Sequence, residues 1–322
     1  MRFQTILGIA VSAFLLYLAA RNVDLGAVLP LLGRVDVSYL AAAGSCALLA
    51  VWLRAWRWRY LIPNSQSVRT CSLFTATMIG FMGNNLLPLR IGDLARAYIA
   101  AKKENAAPSA IFATVVVERL LDVFAILAML SVIFFRMPLP PWIANGFLLM
   151  LLIGASAWIA LLSMNNQGAR IGGWISRFLP ARHGRRIVPL VDSFFAGLAA
   201  MRSKKNLAIA TLLSVPIWLT YALGTHAALK ACAIDLPFLA SWVVLAFVGI
   251  GVSLPSAPGF VGTFQFFTVA ALALFSVDQQ TAFSYSLVHH LSQYIPITLC
   301  GWLLLVREQM SLGELAAIKT PR

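Results

Sequence analysis

Leu236 to Val277 reads LPFLASWVVLAFVGIGVSLPSAPGFVGTFQFFTVAALALFSV, 42 residues without a formal charge. A helix needs about 20 apolar residues to cross hydrocarbon, so the stretch is too long for one crossing. Its centre, Ser253-Leu254-Pro255-Ser256-Ala257-Pro258-Gly259-Phe260-Val261-Gly262-Thr263, holds two prolines and two glycines, which a continuous helix does not accommodate. The segment therefore folds back and returns to the side it came from. Broken backbone at membrane depth survives only where it packs in protein or lines a cavity, so the break is also a candidate site.

The rest of the chain fits that reading. Of 322 residues, 60% are apolar and 11% charged, and the mean hydropathy is +0.84; soluble domains carry about 25% charged residues. This composition excludes a water-facing surface. Six further runs are long and apolar enough to span: Phe3 to Ala20, Val37 to Leu53, Ser109 to Phe135, Trp142 to Met164, Asn206 to Leu229 and Thr281 to Val306. The first has a signal-peptide outline, but Arg21 follows without a cleavage context, so it reads as a retained helix. The four cysteines, at 46, 71, 232 and 300, have no metal-ligand or disulfide spacing, and no metal or cofactor is expected.

A second uncharged stretch, Thr70 to Leu89, is the ambiguous one. Were it to cross fully, the cations Arg170, Arg177, Arg182, Arg185, Arg186, Arg202, Lys204 and Lys205 would lie outside, against the positive-inside rule. If instead it turns at Asn84-Asn85-Leu86-Leu87-Pro88 and returns through Arg90 to Ala101, most cations fall inside. Only Arg21, Arg34, Arg136 and Lys230 are then outside, with Arg90, Arg96 and Arg119 at membrane depth. The expected fold is an all-α polytopic membrane protein of six transmembrane helices and two re-entrant hairpins, in the cell (inner) membrane, with both termini cytoplasmic. The formal charge of +14 becomes a topology signal, and no nucleic-acid partner is needed to explain it.

The two hairpins fall at corresponding places in residues 1–135 and 142–306, so an inverted repeat is expected. An offset of 170 pairs Pro88 with Pro258, Gly92 with Gly262 and Arg119 with His289. Residues 165–205 form a basic cytoplasmic loop in which Ile187 to Met201 is apolar enough to lie in the interface as an amphipathic helix.

Three polar clusters are candidate substrate-binding residues. The first is Asn84, Asn85, Arg90, Asp93 and Arg96: the asparagines suit capping of broken backbone, and the arginines suit a phosphate oxygen fork. Alternatively the hairpin is shallow and Asp93 simply pairs with an arginine on a wet helix. The second is Glu118, Arg119 and Asp122, with Glu118 roughly 14 Å into the third long span. They form either a counter-ion site facing a cavity or an ion-pair lock to Arg90 or Arg96. The third is Pro255, Pro258, Gly259 and Gly262 with Gln265, where freed amides would receive an anion, or where the tip merely packs. His289, beside His290, reads as a proton shuttle or as a packing histidine hydrogen-bonded to the neighbouring hairpin. Arg54, Arg57 and Arg59 alternate with Trp52, Trp56, Trp58 and Tyr60 and read as an interfacial anchor. No Walker loop, dinucleotide glycine motif or Gly-x-Ser-x-Gly nucleophile occurs.

Together, Asn85-Leu86-Leu87-Pro88-Leu89-Arg90-Ile91-Gly92-Asp93 with Arg96, Glu118-Arg119 with Asp122, and Pro255-Ser256-Ala257-Pro258-Gly259 with Gly262 resemble the lysylphosphatidylglycerol synthase/flippase-type transmembrane family over nearly the whole chain. Asp93 stands where that family more often has Glu, keeping the charge with a shorter reach. The resemblance implies a domain that moves or receives polar-headed lipids, with the three clusters around the path. With Arg322 last in the sequence, it implies the membrane part without the soluble aminoacyl-transferase domain. The expected function is a flippase-like transporter of an anionic or phosphate-bearing membrane lipid, not an enzyme. Its rivals are a membrane-embedded transferase using Glu118 or Asp122 as general base, and a non-transporting scaffold of a cell-envelope complex.

Overall fold

The computed structural model describes residues 2–62, 68–136, 141–164, 181–198 and 203–317. Its elements are helical: α1 (Arg2–Ala20), α2 (Leu25–Leu32), α3 (Val37–Leu61), α4 (Thr70–Leu86), α5 (Ile91–Lys103), α6 (Pro108–Arg136), α7 (Pro141–Met164), α8 (Ala181–Gly197), α9 (Lys204–Ala231), α10 (Phe238–Ser253), α11 (Thr263–Ala273), α12 (Gln279–Arg307) and α13 (Leu312–Ala317). Short 3₁₀ turns, Pro88–Arg90 and Pro258–Phe260, join α4 to α5 and α10 to α11.

Val37–Leu61 and Lys204–Ala231 are long and apolar enough to cross a bilayer. α6 is also long, with Glu118, Arg119 and Asp122 in its middle. The outer faces are apolar at helical spacing: Leu212, Val215, Leu219 and Leu223 on α9, and Ile295, Leu299, Leu303 and Val306 on α12, are exposed. Exposed apolar stripes of this extent have no place in water and are the lipid-facing surface of an all-α membrane protein.

Two core clusters mark opposite ends of the bundle. One gathers Trp58 and Leu61 near the end of α3, Leu73 near the start of α4, Ala100 and Ala101 on α5, Ile111 near the start of α6, Ala210 on α9 and Leu305 near the end of α12. The other gathers Ala43 on α3, Leu130 and Ile133 late on α6, Leu229 on α9, Val244 on α10, Leu272 on α11 and Ala282 on α12. Thus α3 and α12 run one way, α6 and α9 the other. The α4–α5 unit has both of its outer ends in the first cluster, and α10–α11 has both in the second. The two helix-break-helix units enter from opposite ends and meet tip to tip.

The tips share their conformation. Leu89 (φ 61°, ψ 23°) and Arg90 (φ 52°, ψ 37°) are left-handed, as are Gly259 (φ 68°, ψ 10°) and Phe260 (φ 60°), each 170 residues on. Left-handed non-glycine residues are uncommon, so a matched pair at one offset fixes the register of the comparison. Asn84 and Asn85 differ from expectation: α4 continues through them to Leu86, and they do not cap the break. The Asn84 Nδ2 instead donates to Asp93 and the Asn85 Nδ2 to Thr298.

Two glycines make the hairpins close. A Cβ on Gly92 would lie 1.8 Å from the Gly80 carbonyl oxygen, and one on Gly262 (φ 87°) would lie 2.1 Å from the Ser12 carbonyl of α1. α8 runs over Ala181–Gly197 and so overlaps the expected helix at 187–201 only in part, with Gly197 against the Ala110 carbonyl at the start of α6. Of the basic loop, residues 165–180 and 199–202 lie outside the described residues. α2, capped by Asp24, and α13 had no counterpart in the sequence reading.

Gly92→Ala is expected to lose stability by about 1–3 kcal/mol or more through overpacking, whereas Gly146→Ala, with nothing within 4 Å of the added Cβ, leaves it unchanged. Thermal unfolding of the two variants in detergent measures the difference.

Candidate functional site

Helix α3 stacks the small residues Ala43, Ala47 and Ala50 on one face, and that face continues to Arg54, Arg57 and Trp58, all buried. The sequence reading as an anchor applies only to the opposite face, where Trp52 and Trp56 are exposed. Arg54 and Arg57 belong to an internal ion network that the sequence reading missed. The signal was there: a stripe of small residues at helical spacing marks a contact face, and i, i+3 spacing carries both arginines along it.

The network joins α3, α5 and α6. Arg54 Nη1 lies 2.7 Å from Asp122 Oδ2 and 3.2 Å from Glu118 Oε1; Arg57 Nη2 lies 2.9 Å from Asp122 Oδ1 and 3.2 Å from Glu118 Oε1. Arg96 Nη1 approaches Glu118 Oε2 at 3.2 Å, and Arg119 Nη2 donates to Asp93 Oδ1 at 2.6 Å. Both α6 carboxylates share a face because they are four residues apart. From α9, Ser214 accepts from Arg57 at 2.9 Å and the Tyr221 hydroxyl accepts from Arg54 Nε at 3.2 Å. Arg96 is fully buried with its guanidinium 5.0 Å from the centre of the Trp58 ring.

Two cavities adjoin this network. One, of about 230 Å³, is lined by Arg54, Asn84, Arg90, Arg119, Trp218 and His290 among others. The other, of about 510 Å³, is lined by Leu7, Leu87, Leu89, Leu254, Pro255 and Pro258 among others. Asn84, Arg90 and Phe260 line both. The Arg90 guanidinium sits 5.5 Å from the centre of the Phe260 ring, so the corresponding residues of the two tips stack on one another between the cavities.

Arg90 makes no ion pair among the described residues, and its buried Nη2 has no hydrogen-bond partner. The Asn84 Oδ1, Arg119 Nε and Trp218 Nε1 atoms on the same wall are likewise buried without partners. Unpaired buried polar atoms are rare enough to require a reason, and these four, three donors and one acceptor, belong to residues of one cavity wall.

The third predicted cluster differs from expectation. Three of its amides are taken up: Gly262 N–H donates to Gln265 Oε1 at 2.7 Å, Ala257 N–H to Ser12 Oγ at 2.7 Å, and Phe260 N–H to the Ala257 carbonyl. Hence Gly262 and Gln265 hold the tip together, Gly259 turns it, and only Pro255 and Pro258 of this group line a cavity. His289 is buried between Thr225 and Gln293, away from both cavities, while His290, bonded to Gln265 Nε2, lines the smaller one. No cluster of His, Cys, Asp or Glu suited to a metal occurs among the described residues.

Residues 5–301 match the family model for the lysylphosphatidylglycerol synthase TM region. The chain belongs to this family. Within and around it, the chain is 22% identical over 325 residues to the glycosyltransferase AglD of Haloferax volcanii, covering 90% of this chain and 52% of that protein. It is 24% identical to a UPF0104 membrane protein of Methanothermobacter thermautotrophicus (84% and 85% covered) and 22% identical to the UPF0104 membrane protein MJ1595 of Methanocaldococcus jannaschii (93% of each). The chain thus spans about half the length of AglD and nearly all of the two UPF0104 proteins. No solved structure matches this family member.

Removing one partner from a buried ion pair leaves an uncompensated charge, which is destabilising by about 3–5 kcal/mol. Glu118→Ala leaves Arg96 with only the more distant Asp93 and weakens the hold on Arg54 and Arg57, so its unfolding free energy should fall by that amount; a loss below about 1 kcal/mol would contradict the network.

Proposed function

We propose that this protein is a flippase-like transporter that carries an anionic or phosphate-bearing lipid headgroup across the cell membrane. The observation that carries the reading is Arg90, a cation with an unpartnered Nη2 held where two cavities meet. Guanidinium donors suit phosphate oxygens, and the apolar wall of the larger cavity, with Leu7, Leu89 and Leu254, suits the chains behind a headgroup. The family is named for a lysylphosphatidylglycerol synthase, a lipid-modifying activity, which supports a lipid as cargo.

In this reading the α4–α5 and α10–α11 units are re-entrant hairpins. Their outer ends lie in opposite core clusters, and Lys103 at the end of α5 pairs with Glu308 just past α12 at 2.6 Å, putting both cation-rich helix ends on one side. The matched tips and their contact near a common axis support an inverted repeat, the architecture in which interrupted helices meet at a central site. Both termini and the basic loop are then cytoplasmic. A headgroup reaching Arg90 displaces Phe260 from it, and parting of the tips passes the headgroup from one cavity to the other.

Transport is favoured over lipid-linked transfer by the setting of the acids. Glu118 is wholly buried, surrounded by Arg54, Arg57 and Arg96, and lines neither cavity. A general base must reach the proton it removes, and these carboxylates are occupied as counter-ions.

Arg90→Gln should reduce translocation of a fluorescent anionic phospholipid in proteoliposomes by roughly tenfold, the effect of removing about 1.4 kcal/mol of headgroup stabilisation; undiminished translocation would refute the proposal. For the topology, Lys102→Cys in intact cells should resist a membrane-impermeant thiol reagent and react after permeabilisation, whereas labelling from outside would overturn the hairpin arrangement and the repeat with it.

A further inference from the structure

The charges around the cavity do not balance. Five guanidinium groups, Arg54, Arg57, Arg90, Arg96 and Arg119, adjoin three carboxylates, Asp93, Glu118 and Asp122. With the carboxylates ionised, as their arginine contacts favour, two positive charges remain over. The surplus adjoins the smaller cavity, whose wall presents Arg54, Arg90 and Arg119; Arg54 is buried and Arg90 partly so, while the Arg119 side chain keeps 35% exposure, and cations held together beside an apolar wall favour an anion as occupant. Asp93 is shared, with Arg119 at 2.6 Å and Arg96 at 3.7 Å, and among the described residues it forms no ion pair with Arg90.

We infer that the occupant of this cavity is a phosphomonoester dianion, carrying two negative charges, and not a singly charged phosphodiester or a zwitterion. This rests on the transport reading and narrows its cargo. A phosphodiester leaves one cation unmatched, and a zwitterionic headgroup matches one with its phosphate but brings an ammonium in its place, so the surplus stays at two with no carboxylate on the cavity wall to receive it. The free hydrogen-bonding atoms agree: Arg90 Nη2, Arg119 Nε and Trp218 Nε1 are donors, and a terminal phosphate offers three acceptor oxygens. Asn84 Oδ1 is the single unpartnered acceptor there and suits a proton of a hydroxyl. The same dianion exists as a lipid headgroup or as a soluble phosphate ester, and the apolar second cavity meeting the first at Arg90 favours the lipid.

The full-length protein in nanodiscs of phosphatidylcholine, doped separately with phosphatidic acid or phosphatidylglycerol, distinguishes these cases by native mass spectrometry of co-purified lipid. Phosphatidic acid should be retained at least about tenfold over phosphatidylglycerol, a 1.4 kcal/mol preference, and Arg90→Gln should bring the two close to parity. Equal retention of both lipids by the unaltered protein would overturn the dianion assignment and leave the transport reading standing. Failure of either lipid to exceed phosphatidylcholine would overturn both. If glycerol 3-phosphate displaces phosphatidic acid at equal concentration, the dianion stands and its source is a soluble ester. Asn84→Asp, which adds a negative charge to the same wall, provides an independent variant and should likewise erase the preference.

Discussion

A buried carboxylate must have a cation beside it, and that constraint organises the centre of this molecule. Glu118 and Asp122 stand on one face of α6, far from water, and their partners arrive from α3 and α5. Because the cost of an isolated buried charge exceeds that of most packing errors, these helices have little freedom to slide: a shift of one turn, about 5.4 Å, would separate every pair. α9 is drawn into the same arrangement by Ser214 and Tyr221. Hydrophobic packing supplies the bulk of the stability, as in any bundle, while the ion network sets the register.

That register places the two hairpin tips against each other. The same left-handed pair of residues occurs at both, and Gly92 and Gly262 allow the return helices to approach neighbouring backbone more closely than any side chain would permit. The backbones are alike, but the side chains at matched positions are not. Arg90 has Phe260 as its counterpart, and Gly92-Asp93 has Gly262-Thr263. One half contributes the charge and the other a ring on which it rests. Matched tips thus carry an unmatched pair, and in the proposed transport reading that asymmetry is what distinguishes the two cavities toward an anion.

The architecture was legible because its signals are local. Absence of charge over Leu236 to Val277, with prolines at its centre, requires a broken hairpin whatever surrounds it, and the i, i+3 relation brings Arg119 within 3.7 Å of Asp122 on any helix. The site was legible in part. Asp93, Glu118, Arg119 and Asp122 came together, joined by Arg96. Arg54 and Arg57 were misread because an arginine near a helix end among tryptophans looks the same whether it faces headgroups or the interior; only the partner helices decide. The supposed free amides at Pro255 to Gly262 failed for a similar reason, since Ser12, 245 residues from Ala257, lies beyond any local reading.

Moving Arg54 and Arg57 from the cytoplasmic surface to the interior changes what the charge of +14 means. The positive-inside expectation then rests on Arg59, Arg69, Lys102 and Lys103 with the cations of the central basic loop. The interior, by contrast, changes character. With Arg119 alone beside Glu118 and Asp122, the middle of α6 would carry a net negative charge and would repel an anionic headgroup. With Arg54, Arg57 and Arg96 added it becomes a neutralised and slightly positive base, and Arg90 stands beside it with no ion pair among the described residues. The same two arginines that lock the bundle take this set from three cations against three carboxylates to a surplus of two, so the contacts that hold the helices together also set the charge beside the cavity.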